Sequence, residues 1–432
     1  MLVEARLAHQ DLPADVAVVR ARVREGLSEL FDVEVIFVTQ DGAVDLGALL
    51  WSGAALTLTP AQATDSAPRS FHGMIEEASY LGFDRTYYRY RLRLRPQIHG
   101  LAYRVRTRIF QNKNAVDIIK QVFTDAGIPD AGVVWDTAGD YPVREYCTQW
   151  KESELAFVLR LLEEEGIFYW FEHTETDHVL HLGDAPDVHV PIEGDSTLRR
   201  RHHADQVVEG VWDVVHKTRL THDAVKTRDW HFTLAAAPLE SNAGEEGGRR
   251  RYEYPGGYAV QPQGGRLTNV RFEEERAGSR HVTGASDCLR LMPGRRVTLS
   301  DVEPVVFAED WIMTRLEQTF AAPTRADAGA LGVGEHSLRF VCIPAETPFR
   351  PPRNTPRPKA YGLESAVVTG PSGEEIHVDE FGRIKVHFYW DRENPVDDTA
   401  SCWIRVQQLN TSGAMILPRI GWEMHVAFLD GD

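Results

Sequence analysis

Two periods alternate along this chain. From Phe31 to Thr39, Phe31, Val33, Val35 and Phe37 alternate with Asp32, Glu34, Ile36 and Val38, the period of a partly two-sided strand. Ala54–Thr59, Phe71–Tyr80 and Tyr87–Arg95 read the same way, and in the last of these Tyr88, Tyr90, Leu92 and Leu94 oppose Arg89, Arg91, Arg93 and Arg95. An arginine row on one strand face is solvated or pairs with acids across the strand. Residues 1–104 are therefore expected to form a β-domain. Over 105–194 the period lengthens. Asn114 is placed to cap a helix carrying Val116, Ile119, Val122 and Phe123, stopped by Gly127 and Pro129. Ser153 is placed to cap a second, with Leu155, Val158, Leu159 and Leu162 on one stripe and Gly166 after its end. Ile167–Phe171 and Val179–Leu182 then read as strands, completing a small α/β unit.

Alternation returns over 195–347, with turns expected at Gly247-Gly248, Gly256-Gly257 and Gly264-Gly265, and one helix from about Leu267 to Leu291. The prolines of Pro348–Pro358 predict an extended, semi-rigid linker, taken as 348–360. In 361–432 three alternating runs follow: Ile384, Val386, Phe388 and Trp390; Cys402, Ile404 and Val406; Met424, Val426 and Phe428. They predict a small closed or nearly closed barrel of the OB type. A faint repeat joins the two longer β regions. Gly53–Leu58 resembles Gly294–Leu299, and Tyr90–Pro96 resembles Ser337–Pro344, in the same order and at similar separation. Two β-domains of one design is the economical reading; chance likeness between alternating strands is the alternative.

Composition narrows the picture. A chain of 432 residues holds about three or four domains. Its net charge of −17 disfavours nonspecific nucleic-acid binding. The basic runs Arg104–Arg108 and Arg249–Arg251 are read as solvated faces. Cys147, Cys288, Cys342 and Cys402 lie far apart without a C-x-x-C pair and are expected to be buried free thiols. No apolar run reaches the roughly 20 residues of a membrane span. Met1–Gln10 carries charges where a signal peptide needs an apolar core, so no signal peptide is expected.

Two segments carry a resemblance. One is Cys147–Phe157, with Trp150, Glu152, Ser153, Leu155 and Phe157, followed by Leu161–Phe171 with Glu164, Glu165 and Gly166. The other is the terminal module, with Asp379, Gly382, Arg383, Trp390, Trp403, Arg405, Gly421 and Asp430. Together they resemble the VgrG-type spike proteins of type VI secretion systems, a family similar to fused hub and spike proteins of contractile phage tails. The resemblance implies a mainly β chain with an α+β insert: two related β-barrel domains, an inserted α/β domain and a C-terminal OB-fold barrel. It implies a homotrimer whose paired barrels present six similar units to a hexameric, Hcp-like tube protein. Baseplate components are further implied partners, with effectors or a PAAR-type tip protein reached through a β-helical needle. The family's needle follows the OB module, so with the sequence closing at Asp432 the needle is expected to be absent here. Assembly in the bacterial cytoplasm and ejection outward are implied as well.

Enzymatic readings are weaker. His173, Asp177, His178, His181 and His189 cluster in sequence, but their spacing matches no metal motif, and His178 and His181 should face opposite sides of a strand. His202-His203 is a weaker candidate still. Glu163, Glu164 and Glu165 are consecutive at a helix end and should point in three directions into solvent, unless they meet a basic partner. No nucleophile elbow, P-loop or dinucleotide fingerprint is present. A non-enzymatic protein without catalytic residues, metal, cofactor or nucleic-acid partner is expected. The alternatives are the tail hub of a contractile phage or prophage, an enzyme using a cleft between barrels, and a carbohydrate- or nucleic-acid-binding OB module.

Overall fold

The computed structural model describes residues 1–61, 67–201, 209–234, 239–245, 247–301, 309–323, 332–408, 413 and 415–431. It divides into two compact units: Met1–His99, Ile128–Gly139 and Gly166–Pro352 form the first, and Gly100–Gly127, Asp140–Glu165 and Arg353–Asp432 the second. The first unit opens with β1 (Leu2–Ala8), β2 (Ala17–Gly26), β3 (Glu29–Thr39), the single turn α1 (Leu46–Leu49), β4 (Gly53–Pro60), β5 (Arg69–Phe83) and β6 (Tyr88–Arg95). The chain then alternates between units. β7 (Val105–Lys113) and α2 (Ala115–Asp125) belong to the second, β8 (Val133–Asp136) to the first, β9 (Arg144–Ser153) and α3 (Glu154–Glu165) to the second, and β10 (Phe168–His173) and β11 (His178–Gly183) to the first. The first unit continues through β12 (Thr197–Arg200), β13 (Gly210–Thr218), β14 (Ala224–Asp229), β15 (Leu239–Gly244), β16 (Arg250–Glu253), α4 (Gln261–Ala277), β17 (Arg280–Ser286), β18 (Arg296–Ser300), β19 (Asp310–Ala321) and β20 (Val333–Pro344). The second unit closes with β21 (Leu363–Thr369), β22 (Lys385–Phe388) and β23 (Glu423–Ala427).

Twelve of the described strands close one sheet in the order β1-β20-β17-β13-β12-β18-β19-β2-β3-β6-β5-β4, and β19 also pairs with β20. That extra ladder splits the sheet into two rings sharing a wall. One ring runs β19-β2-β3-β6-β5-β4-β1-β20 and the other β20-β17-β13-β12-β18-β19. The alternation sets the register. Val33, Val35 and Phe37 face Leu94, Leu92 and Tyr90 across the β3–β6 ladder, and all six are buried. On the other face the arginine row of β6 pairs with acids: Arg93 with Asp32 at 2.8 Å, Arg91 with Glu77 at 2.6 Å and Arg95 with Glu76 at 3.2 Å.

The sequence repeat lands on equivalent strands. Gly53–Leu58 lies in β4 and Gly294–Leu299 enters β18; Tyr90–Pro96 covers most of β6 and the residue after it, and Ser337–Pro344 lies in β20. β4-β5-β6 and β18-β19-β20 are both antiparallel meanders. The ladder between the second and third strands carries a bulge in each, at Ile75/Glu77 and at Met313/Arg315. A bulge bends and twists its strand, so each meander is curved at the same step.

Three expectations need correction. The helix expected over Leu267–Leu291 runs instead over Gln261–Ala277: Pro262 sits in its first turn, Gly278 follows its end, and 280–286 becomes β17, paired with β13 and β20. Gly264-Gly265, expected as a turn, lies inside that helix; a Cβ at Gly264 would come within 2.4 Å of the Tyr258 ring, so glycine here admits close packing. The terminal module forms a three-stranded sheet among the described residues, ordered β22-β21-β23, with β21 as the missed strand. Cys402–Val406 contributes only the bridge Ile384–Ile404, because at the next rung the Ser401 hydroxyl, not a backbone carbonyl, accepts the Val386 N–H at 2.9 Å. Elements of residues 105–194 contribute to both units, with β10, β11 and β8 forming a sheet of the first. Cys147, Cys288 and Cys342 are buried free thiols and Cys402 is half-buried. Among the described residues no helix is long and apolar enough to cross a membrane.

Candidate functional site

In the second unit the first signature segment forms the end of β9 and the whole of α3. The Ser153 hydroxyl accepts the Ala156 N–H at 3.1 Å, the cap its position requires. Leu155 and Phe157 are buried, and Phe157 stacks on Phe110 with ring centroids 5.5 Å apart. Glu152 accepts from Arg160 at 2.7 Å, and Arg160 also donates to Glu164 at 3.1 Å. Arg144 on β9 donates to Glu164 at 2.8 Å and to Glu165 at 2.5 Å. Glu163 accepts from the Thr355 N–H at 2.9 Å and its hydroxyl at 2.8 Å. The glutamates at the helix end are thus held by partners within the unit, not solvated; the basic partner is the chain's own Arg144 and Arg160. Burial opposes ionisation of Glu164, but Arg144 and Arg160 outweigh it and hold the carboxyl down at about 2.

The run Arg104–Arg108 also departs from its expected solvated face. Arg104, Arg106 and Arg108 lie at every second position and converge on Glu154, which is fully buried. Arg106 approaches it at 3.0 Å and Arg108 at 3.3 Å. Arg108, only 1% exposed, donates further to Asp125 at 2.7 Å and Gln149 at 3.1 Å. The spacing i, i+2, i+4 was visible in sequence; that Glu154 would receive all three was not.

The terminal signature builds a turn and an aromatic wall. Asp379 accepts the N–H groups of Phe381 at 3.0 Å and Arg383 at 2.8 Å, and the Arg383 Nε–H at 2.6 Å. Gly382 completes this turn at φ +69, where a side chain is strained. Trp390 stacks on Phe388 at 5.0 Å and meets Trp150 edge-on at 5.3 Å, so the two signature segments touch. Trp403 lies beside His377 at 4.9 Å, Arg405 is exposed, Gly421 donates its N–H to the Val368 carbonyl at 2.9 Å, and Asp430 pairs with Lys359 at 3.1 Å. Gly166 follows α3 and opens the next segment of the first unit.

The histidines separate as alternation requires. His181 stacks on Trp170 at 5.1 Å, and His189 donates from Nδ1 to the Gly294 carbonyl at 2.8 Å. His173 donates from Nδ1 to the His72 carbonyl at 3.0 Å. His178 points the other way from His181 and meets His72, a residue the sequence did not single out, with Nδ1 atoms 3.0 Å apart. His72, Asp177 and His178 are close enough to suggest a metal. Their hydrogen bonds argue otherwise. The Gln97 backbone N–H donates to His178 Nε2 at 2.9 Å, so the proton of the neutral ring sits on Nδ1 and is donated to His72. A metal on that Nδ1 would turn Nε2 into a donor facing a donor. Burial, then His173 and His72, hold His178 down at about 3, which keeps it neutral. His202-His203 lie outside the described residues.

Known proteins share this architecture. The family model described as phage tail baseplate hub (GPD) matches residues 24–324. The type VI secretion system spike protein VgrG5 of Pseudomonas aeruginosa is 34% identical over 448 residues, an alignment covering 98% of this chain and 55% of the relative. The chain thus spans about half the length of the curated relatives it matches. Among solved structures, the E. coli c3393 protein, a type VI secretion component with structural similarity to the T4 tail proteins gp27 and gp5, matches with a TM-score of 0.71 at 23% identity, covering 99% of this chain and 97% of that one. The 43 kDa tail protein of prophage MuSo2 from Shewanella oneidensis matches with a TM-score of 0.54 at 9% identity, covering 80% of this chain and 99% of that one. At these identities the structural matches speak for the fold.

Proposed function

Since the chain belongs to the phage tail baseplate hub family and is of the VgrG spike type, we propose that it forms the hub and base of the spike in a contractile secretion machine. It caps a tube as a homotrimer, is driven outward with it, and helps to puncture a target membrane and deliver effectors. The family is one of structural hub and spike proteins, and the chain acts as a mechanical part without turnover of its own. Its proposed partners are two further copies, a hexameric Hcp-like tube protein, baseplate components, and effectors or a PAAR-type tip protein. Assembly takes place in the bacterial cytoplasm before ejection.

The observation that carries this reading is the pair of fused rings built on like meanders. Three copies of a chain with two such rings offer six similar units, which reconciles threefold symmetry with a sixfold tube. The modules 1–104, 105–194, 195–347, 348–360 and 361–432 are proposed as its building blocks, and the signature residues, from Trp150 to Asp430, as the parts that keep the second unit rigid. The test is native mass spectrometry of this chain with a hexameric tube protein. A complex of three chains with one hexamer is expected; no complex, and no trimer at any attainable concentration, would overturn the reading.

A second reading, the tail hub of a contractile phage or prophage, is favoured by the description of the matching family model and by the Shewanella prophage structure. Neighbouring genes separate the two: capsid and lysis genes, or an inner-membrane secretion complex.

A further inference from the structure

In the second unit, β9 and the terminal module border a cavity of about 310 Å³. Trp150, Phe388, Trp390, Ile404 and Phe428 give it apolar walls. Its size lies at the lower end of the range of small-molecule sites. Two polar atoms of its lining residues stand out. Tyr146 Oη and Trp390 Nε1 are both shut off from solvent, and among the described residues neither has a hydrogen-bond partner. An unpaired buried donor is costly, because it has given up its water without a replacement, so such a pair points to an occupant that supplies acceptors.

The charge around the cavity narrows the chemistry. Arg144, Arg160 and Arg357 border it; the first two are engaged by Glu152, Glu164 and Glu165, and Arg357 adds to the field that keeps Glu164 ionised. Burial raises the Tyr146 phenol and pushes the bordering Cys402 thiol up to about 11, so both keep their protons at neutral pH. The uncommitted polar groups therefore include an O–H and an N–H, while the three arginines face the carboxylates of α3 and β9.

We propose that this cavity is a binding site for a small, flat, uncharged molecule whose carbonyl-type oxygen accepts from Tyr146 Oη–H or Trp390 Nε1–H while its apolar body lies against the aromatic walls. The site is independent of the proposed role as a spike.

Fluorine-observed NMR titration of the whole chain tests this with two matched probes, 4-fluoroacetophenone, which carries the acceptor, and 4-fluorotoluene, which does not. The wild-type chain is expected to bind the ketone saturably and about tenfold more tightly than the hydrocarbon, the worth of one buried hydrogen bond. Tyr146→Phe or Trp390→Phe, or each in part, is expected to abolish that preference while leaving hydrocarbon binding in place. Tyr146→Phe keeps the ring and removes only the hydroxyl, and thermal unfolding confirms which variants fold. If Trp390→Phe does not fold, Trp390→Leu removes the same N–H; if Tyr146→Phe does not fold, Tyr146→Leu removes the same O–H. Absence of saturable ketone binding, no preference between the probes, or a preference that survives loss of both donors would overturn the proposal and leave a water-filled gap in the core.

Discussion

Glu164 of the second unit and Glu25 of the first are both carboxylates held by arginine, the one half-buried and the other buried, and their surroundings differ. Glu164 lies between Arg144 and Arg160, and each of these has another carboxylate to turn to, Glu165 and Glu152. Glu25 meets Arg69 at 2.6 Å, with His173 at 3.4 Å on its other oxygen. Among the described residues, Arg69 has beside it the Leu289 carbonyl at 3.4 Å as a further acceptor. A shared network spreads the loss of one member over the rest. A pair concentrates it, because the survivor stays buried and charged.

The sharpest test of that contrast is Glu25→Gln, expected to destabilise the first unit by about 3–5 kcal/mol, read by hydrogen exchange in β2 and β5. A loss below about 1 kcal/mol would break the comparison. Glu164→Gln should cost less, about 2 kcal/mol, because Arg144 and Arg160 keep their second partners; exchange in β9 and α3 reports it. The same contribution titrates. The Glu164 carboxyl is lowered from 4.5 to about 2 in the folded protein, so its stabilisation is full above pH 4.5 and is lost as pH falls towards 2. Protection of α3 should fall over that window in the wild-type chain, and less in Glu164→Gln. His178→Phe preserves a ring but removes the acceptor of the Gln97 N–H; about 1–2 kcal/mol is expected, seen as faster exchange at Gln97. The exposed pair Arg91–Glu77 on β6 and β5 sets the lower end, with Arg91→Ala expected to cost under about 1 kcal/mol in denaturant unfolding.

These sites differ as much in how far they could be read from sequence. The caps at Asn114 and Ser153 were legible because a cap and its helix are neighbours in the chain. The β3 and β6 faces were legible because alternation fixes which side is buried, and the repeat was legible because like strands occupy like places in two meanders. Long-range partners left no such trace. His72 and His178 are 106 positions apart, and nothing local marks either as the other's neighbour. Arg144 is 20 positions from Glu164 and belongs to a strand, so the helix end looked solvated when read alone. The bridge at Ile404 shows a finer failure: alternation over Cys402–Val406 was real, but a serine hydroxyl took the ladder bond that a strand there needs.

The ladder between β19 and β20 has a mechanical consequence. Its rungs run from Trp311↔Pro344 to Ala321↔Glu335, and both rings depend on them. Neither ring can be peeled from the other at a loop or hinge; separating them means tearing a paired seam along its length. A blow delivered to one lobe is therefore passed through covalently continuous, cross-linked backbone into its twin, as a party wall carries thrust between two vaults.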